Sequence, residues 1–382
     1  MSKAPAYSSF IKKSILFLAG ISALDILLGY IFLPFIDVHF SPVRVLHPYF
    51  NHGFNQLAEG VEVYGPLKPL YHINSLGMKD FKCREVPLKT TKHRILFIGD
   101  SFTEGIGYPY DSIFCGYLQS KVDSSKIEIL NAGVASFSPK LYYLRLDYLI
   151  NHQGLKIDEV YCLPDYSDVP DELFYQDFKP ELPGFWNGLG YGIQKFYRNH
   201  SIAYYTYSTI SIKQYLKTNN LDKRFEFLYW LKTGDNYNKE TNHQFLNFKG
   251  KWIDDEMISL PVTQKAIALA DSNLNNLFKL CEQHHIKIHL IVYPGSDQVN
   301  DSGAFDQLEL RNKRYVDIWK DMAKKSNVDF IDLFPLFVSR DSGNSVANKA
   351  SYYIQNDSHW NSAGHKRVAD SLYSIITNKV SN

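Results

Sequence analysis

Five short apolar, β-branched runs punctuate the second part of the chain: Arg94–Ile98, Ile127–Leu130, Glu159–Leu163, Ile286–Tyr293 and Val328–Ile331. Between them, around 110–122, 139–153, 263–285 and 308–326, apolar residues recur at i, i+3 and i+4. Short runs without polar alternation fit strands buried on both faces, and the intervening period fits the helices that cover them. A strand reaches a parallel neighbour only through a crossover long enough to hold a helix, so this order predicts βαβ units. The expected fold is an α/β domain with a parallel sheet covered on both faces, over 91–173 and 256–382.

Two segments depart from the alternation. Residues 37–90, with Pro42, Pro48, Pro66 and Pro69, are expected to form an irregular lead-in. Residues 174–255 are too long for an ordinary strand-to-helix connection and are expected to form an insertion. The 79 residues from Phe174 to Trp252 hold 20 of the chain's 57 Phe, Tyr and Trp, well above a uniform share. Long insertions at the carboxyl ends of parallel strands are where binding surfaces are built, which sets this aromatic stretch beside any site there.

Ile15–Phe35 reads ILFLAGISALDILLGYIFLPF, with Asp25 the one acidic or basic residue in 21 positions. A helix of that length spans roughly 30 Å of hydrocarbon. Lys3, Lys12 and Lys13 precede it, and the positive-inside tendency holds them in the cytoplasm. A cleaved signal peptide would have a shorter apolar stretch followed by a small-x-small site, which LPFIDVHF lacks. The expectation is a cytoplasmic tail 1–13, a transmembrane helix 14–36 and an extracytoplasmic remainder, hence a single-pass inner-membrane protein with a periplasmic domain. Asp25 is costly at mid-membrane. It marks either a contact with a membrane partner or a polar residue tolerated beside Gly.

Lys and Arg number 41 against 40 Asp and Glu, a net charge of +1 with no long basic run, so the surface is not built to neutralise nucleic-acid phosphates. A slightly negative mean hydropathy excludes a many-helix transporter. Cys83, Cys115, Cys162 and Cys281 fit no metal or redox spacing. They are expected to be buried free thiols, with one bridge allowed.

The first strand runs into Gly99-Asp100-Ser101-Phe102-Thr103-Glu104-Gly105. A Ser at the turn leaving a buried strand is held at the sheet's carboxyl edge, beside helix N–H groups that can stabilise developing negative charge. Alone, the turn fits a plain helix N-cap equally well. Near the C-terminus, Asp357-Ser358-His359-Trp360-Asn361 precedes Ala363-Gly364-His365 and a final amphipathic stretch. A serine nucleophile needs a base, and a histidine base needs an acceptor that fixes its tautomer. Asp357 and His359 supply both from one loop.

GDSFTEG (Gly99 to Gly105) and DSHWNSAGH (Asp357 to His365) resemble the SGNH/GDSL hydrolases, over roughly 91–173 and 256–382. The resemblance implies a flavodoxin-like three-layer α/β/α sandwich, with Ser101 as nucleophile, His359 as base and Asp357 as its partner. It implies an oxyanion hole built from the Ser101 and Gly133 amides. The third block of the family departs here: Asp168 stands where an Asn amide is expected, in Pro164-Asp165-Tyr166-Ser167-Asp168. An ionised carboxylate donates no hydrogen bond and repels an oxyanion. Three arrangements stay open: a protonated Asp168, donation by Ser167, or reliance on the two amides alone. Asp-x-His in place of Asp-x-x-His is similar to relatives that act on envelope polysaccharides.

The function expected is serine-dependent hydrolysis or transfer of O-acyl groups, foremost O-acetyl, on an envelope or extracellular glycan, with no metal or cofactor. Trp186, Trp230 and Trp252 are the candidates for stacking on sugar faces, unless those aromatics form the insertion's own core. Tyr293-Pro294-Gly295-Ser296-Asp297 reaches the same sheet edge, either to shape the acyl pocket or as a plain turn. The competing expectation is a catalytically weak scaffold or glycan-binding subunit of a polysaccharide assembly.

Overall fold

The computed structural model of the chain describes residues 4–33, 43–182, 251–299, 305–338 and 348–380, with 184, 193, 196–197, 200–207, 210 and 214. The chain divides into two compact units, Met1–Pro42 with Leu182–Asn236, and Val43–Glu181 with Tyr237–Asn382.

The first unit is organised on helix α1 (Ala4–Phe32). Its 23 residues Phe10–Phe32 are long and apolar enough to cross a membrane. Asp25 Oδ1 accepts the Ala203 N–H at 2.8 Å, Tyr30 packs on the His200 ring, and Ser22 hydrogen-bonds Tyr197. The aromatic stretch is divided between the two units. Its described middle belongs to the unit of the N-terminal helix, while its ends, Phe174–Glu181 and Lys251 onward, belong to the other unit. Trp186 and Trp230 lie outside the described residues.

The second unit holds strands β1 (Arg44–His47), β2 (Asn51–Phe54), β3 (Glu59–Val61), β4 (Leu70–Ile73), β5 (Lys79–Asp80) and β6 (His93–Gly99). Helices α2 (Ser101–Glu104) and α3 (Phe114–Lys121), β7 (Ile127–Asn131), α4 (Pro139–Asp147), β8 (Glu159–Leu163) and α5 (Asp168–Tyr175) follow. The chain then forms α6 (Pro261–Gln283), β9 (Lys287–Val292), α7 (Phe305–Lys325), β10 (Asp329–Asp332) and α8 (Ser362–Val380). One sheet runs β10-β9-β8-β6-β7-β5-β4-β3. Its five strands β10, β9, β8, β6 and β7 are parallel, with Gly99 opposite Leu163 and Phe97 opposite Asn131. Numbered along the chain, their order is the flavodoxin-like 2-1-3-4-5, whose switch point lies between β6 and β8.

The three layers follow from the alternation within β6. Leu96 and Ile98 join a core with Leu141 of α4, Leu274 and Leu277 of α6, and Trp319 of α7. Ile95 and Phe97 join the opposite core, with Phe114 and Leu118 of α3 and Leu372 of α8. The sheet is thus covered on both faces, as expected. All four cysteines are free thiols, and Cys83 alone is not buried.

The lead-in corrects an expectation. Instead of an irregular segment, 43–90 supplies a separate β1-β2 ribbon and three antiparallel strands that extend the sheet beyond β7. Short strands broken by Gly and Pro carry too little periodicity to be seen in sequence. The lead-in is fastened to the turn after β6 by buried charge. Arg44 donates to Glu104 at 2.5 and 3.1 Å and to Glu62 at 2.8 Å, and the Lys79 ammonium donates to the Gly105 carbonyl at 2.9 Å. Replacing one member of a buried ion pair strands its partner's charge. Arg44→Met is therefore expected to lower unfolding free energy by about 3–5 kcal/mol, measured by urea unfolding of the detergent-solubilised chain.

Candidate active site

Ser101 stands where β6 ends, as the first residue of α2. Asp100 caps that helix by accepting the Phe102 N–H at 3.0 Å. The Ser101 N–H occupies a helix position that has no intrahelical acceptor. The turn is tight: a Cβ on Gly99 would stand 2.1 Å from Thr103 Oγ1 and 2.8 Å from the Leu163 carbonyl oxygen.

Asp357 and His359 come from the loop before α8. This loop is pinned by Ile354 N–H to the His359 carbonyl at 2.9 Å, by Ser296 N–H to the Ser358 carbonyl at 3.1 Å and by Ser296 Oγ to the Asp357 carbonyl at 2.7 Å. Asn356 takes the left-handed conformation, φ 59°, which Asn tolerates best after Gly. Trp360 is buried in the α3/α8 core, and Asn361 Oδ1 accepts the Gly364 N–H at 3.0 Å, capping α8. The expected three residues meet. Ser101 Oγ lies 2.7 Å from His359 Nε2, and His359 Nδ1 lies 2.5 Å from Asp357 Oδ1. Burial pushes the Asp357 carboxyl up, but the His359 ring and amide and the Tyr64 hydroxyl outweigh it and hold it down to about 2. The line from carboxylate to imidazole to hydroxyl can take a proton from Ser101 and stabilise the imidazolium that results.

The other expected oxyanion groups are placed differently. The Gly133 N–H donates to Asn131 Oδ1 at 3.0 Å, because Asn131 is turned that way by its own amide, which donates to the Thr103 carbonyl at 2.9 Å. Gly133 is needed for close approach: a Cβ there would stand 2.4 Å from Glu104 N. Asp168 is fully buried, accepts the Tyr142 hydroxyl at 2.7 Å and does not line the site cavity. Asp165, two residues beyond β8, lines it instead. Leu163 pairs with Gly99, so the chain leaves β8 beside the Ser101 turn, and the register itself points to Asp165.

Carboxylate oxygens of Asp100, Asp165 and Asp168 lie within 4.8 Å of one another. Three oxygen ligands this close are met either by protons or by a hard cation. Burial first, then the charge of Asp165, raises the Asp100 and Asp168 carboxyls well above the usual range, which is the protonated solution.

Phe102, Asp165, Tyr166, Ser167, Tyr293, Gly295, Asp297 and Ser358 line a cavity of about 190 Å³, so the 293–297 segment does shape the pocket. Trp252 corrects the sequence expectation. It is wholly buried, donates its indole N–H to the Tyr166 carbonyl at 2.8 Å and packs on Tyr315, leaving no ring face for a sugar. Tyr64, a residue of the lead-in for which the sequence carries no signal, donates its hydroxyl to Asp357 Oδ2 at 2.7 Å.

No family model and no curated protein matches the chain. Among solved structures, it is similar to esterases. An acetyl xylan esterase has 15% identity and a TM-score of 0.40, over 74% of this chain and 99% of that one. A psychrotrophic esterase from Pseudoalteromonas sp. has 12% identity and a TM-score of 0.39, over 76% and 100%. An acetylxylan esterase from Geobacillus stearothermophilus has 14% identity and a TM-score of 0.37, over 74% and 94%.

The buried acids set a pH dependence of stability. An unfolded chain releases these protons above about pH 4, whereas the folded chain keeps them, so stability is full below that pH and falls as pH rises toward the folded values. Asp168→Asn keeps an acceptor for Tyr142 and removes one such proton. Its melting temperature is expected to fall less steeply than that of the wild type between about pH 5 and 9 in a thermal unfolding series.

Proposed function

We propose that the chain is a serine esterase or acyltransferase of the SGNH/GDSL type, acting on O-acyl, foremost O-acetyl, groups of an envelope or extracellular glycan, with α1 as its membrane anchor and the catalytic unit periplasmic. The observation that carries the chemistry is the unbroken line Ser101 Oγ, His359 Nε2, His359 Nδ1, Asp357 Oδ1, at 2.7 and 2.5 Å.

In this reading His359 takes the Ser101 proton as Oγ attacks the ester carbonyl, and the Ser101 N–H faces the developing oxyanion. The imidazolium, steadied by Asp357, then gives its proton to the departing sugar oxygen, leaving an acyl-serine. Water or a second sugar hydroxyl, deprotonated by His359, attacks the acyl carbon and regenerates Ser101. The small cavity walled by Phe102, Tyr166 and Tyr293 favours a short acyl group, and its Asp165, Ser167 and Asp297 groups suit the hydroxyls of a carbohydrate.

The Gly133 amide favours a second reading. Because it is held by Asn131, the oxyanion has one amide fewer than the sequence implied, and loss of one donor costs about 10²–10³ in rate. A catalytically weak, glycan-binding subunit of a polysaccharide assembly has the same features with that cost unrecovered.

The detergent-solubilised chain is expected to hydrolyse a chromogenic acetyl ester and to be labelled by a serine-directed fluorophosphonate. Ser101→Ala and His359→Ala should each lose at least about 10³-fold in kcat/KM. Turnover equal to that of Ser101→Ala, with no labelling, favours the binding subunit and removes the enzyme.

A further inference from the structure

The lead-in holds one residue that reaches the proposed catalytic line from a direction the sequence motifs do not cover. Tyr64 and Leu67 form an isolated antiparallel bridge, closed by hydrogen bonds of 2.9 and 3.0 Å between their main chains. The tip of this hairpin packs on Gly107, where a Cβ would meet Leu67 Cδ1 at 2.9 Å and Tyr64 Cδ1 at 3.2 Å. Gly107 has φ 83°, a conformation glycine alone adopts freely. The phenol is thereby carried to the dyad, with its hydroxyl 2.7 Å from Asp357 Oδ2 and 3.0 Å from His359 Nδ1 and its ring edge-on to the imidazole.

The geometry points to Tyr64 as a positioning residue for the base: its hydroxyl, donated to Asp357 Oδ2, locks the carboxylate so that Oδ1 faces His359 Nδ1. This deepens, and rests on, the reading of Ser101, His359 and Asp357 as a catalytic line. A carboxylate two residues from its histidine has a short tether and two equivalent oxygens. His359 N–H and Nδ1 both engage Oδ1, and the Tyr64 hydroxyl holds Oδ2, so the carboxylate is restrained at both oxygens. A hydroxyl donated to a carboxylate also draws charge from it, which tempers how strongly it favours the imidazolium. The titratable groups facing the dyad are Tyr64 itself, Asp100 through the Ser101 hydroxyl, Asp297 beside the Ser296–Asp357 contact, and His365, whose proton affinity burial and then Lys79 and His359 lower.

The test uses the full chain in detergent with the chromogenic acetyl ester. Tyr64→Phe keeps the ring that packs on Gly107 and removes only the hydroxyl, so the fold is retained. It is expected to lower kcat about tenfold with KM little changed, and to move the acid limb of kcat/KM to higher pH. In an Asp357→Asn background the same change should have little further effect, since the group it acts through is gone. The far-downfield imidazole N–H proton resonance should also move in Tyr64→Phe, a readout that needs no turnover. Unchanged kcat, pH profile and resonance would overturn the assignment, as would losses that simply multiply in the double variant. Should the wild type lack Ser101-dependent turnover, the catalytic reading fails, and the resonance alone decides whether the Tyr64 hydroxyl holds the Asp357–His359 pair.

Discussion

The buried ion pair between Arg44 and Glu104 ties the lead-in to the turn that carries Ser101. Glu104 ends the four-residue turn that carries Ser101. Its carboxylate takes Arg44 from the β1-β2 ribbon, the Tyr71 hydroxyl from β4 at 3.3 Å and the Ala135 N–H from the loop after β7 at 2.7 Å. Burial pushes that carboxyl up, but Arg44 and Lys79 outweigh it and keep it below its usual value. Lys79 is itself drawn down to about 7 by burial and lies over the Tyr71 ring. Such a knot adds little net stability, because desolvation consumes most of the attraction. What it adds is direction: a displaced Arg44 or Glu104 would leave a buried charge unpaired, which disfavours other seatings of the lead-in.

That constraint gives the site its precision. A helix of four residues cannot hold Ser101 steady by its own hydrogen bonds, since nearly all its backbone groups lie in unsatisfied end turns. Here the turn is gripped from three sides. Asp100 caps it, the Gly133 backbone lies against it, and Lys79 collects the carbonyls that leave it. His359 arrives separately, on a loop hydrogen-bonded to the 293–297 segment and anchored by Trp360 in the α3/α8 core. The 2.7 Å contact between Ser101 and His359 is therefore where two independently anchored loops meet.

The parallel sheet was legible because strands buried on both faces read as uninterrupted apolar runs, and all five lie within a residue or two of their expected positions. Ser101, Asp357 and His359 were legible because chemistry restricts which residue types can stand together at the carboxyl edge. Trp252 misled for the opposite reason: an aromatic count does not distinguish a ring that faces solvent from one that donates its N–H to the Tyr166 carbonyl and closes a core. Tyr64 was invisible, since a lone Tyr in a segment of β-bridges and prolines carries no period. Asp165 rather than Asp168 faces the cavity because the register of β8 against β6, which sequence spacing leaves undetermined, sets which residue leaves the sheet beside Ser101.

Electrostatics sets the remaining tension. A line ending in Ser101 needs positive potential where an oxyanion would form, yet the adjacent wall is acidic. The structure limits the conflict in two ways. Burial raises the Asp100 and Asp168 carboxyls well above the usual range, which favours their neutral forms beside Ser101. Asp100 also accepts the Phe102 N–H at 3.0 Å and the Tyr293 hydroxyl at 3.2 Å, with its Oδ2 2.9 Å from Ser101 Oγ, so its place in the turn survives without a charge. The third carboxyl, Asp165, stands in the cavity wall. Its oxygens can accept hydrogen bonds from hydroxyl groups that enter the cavity.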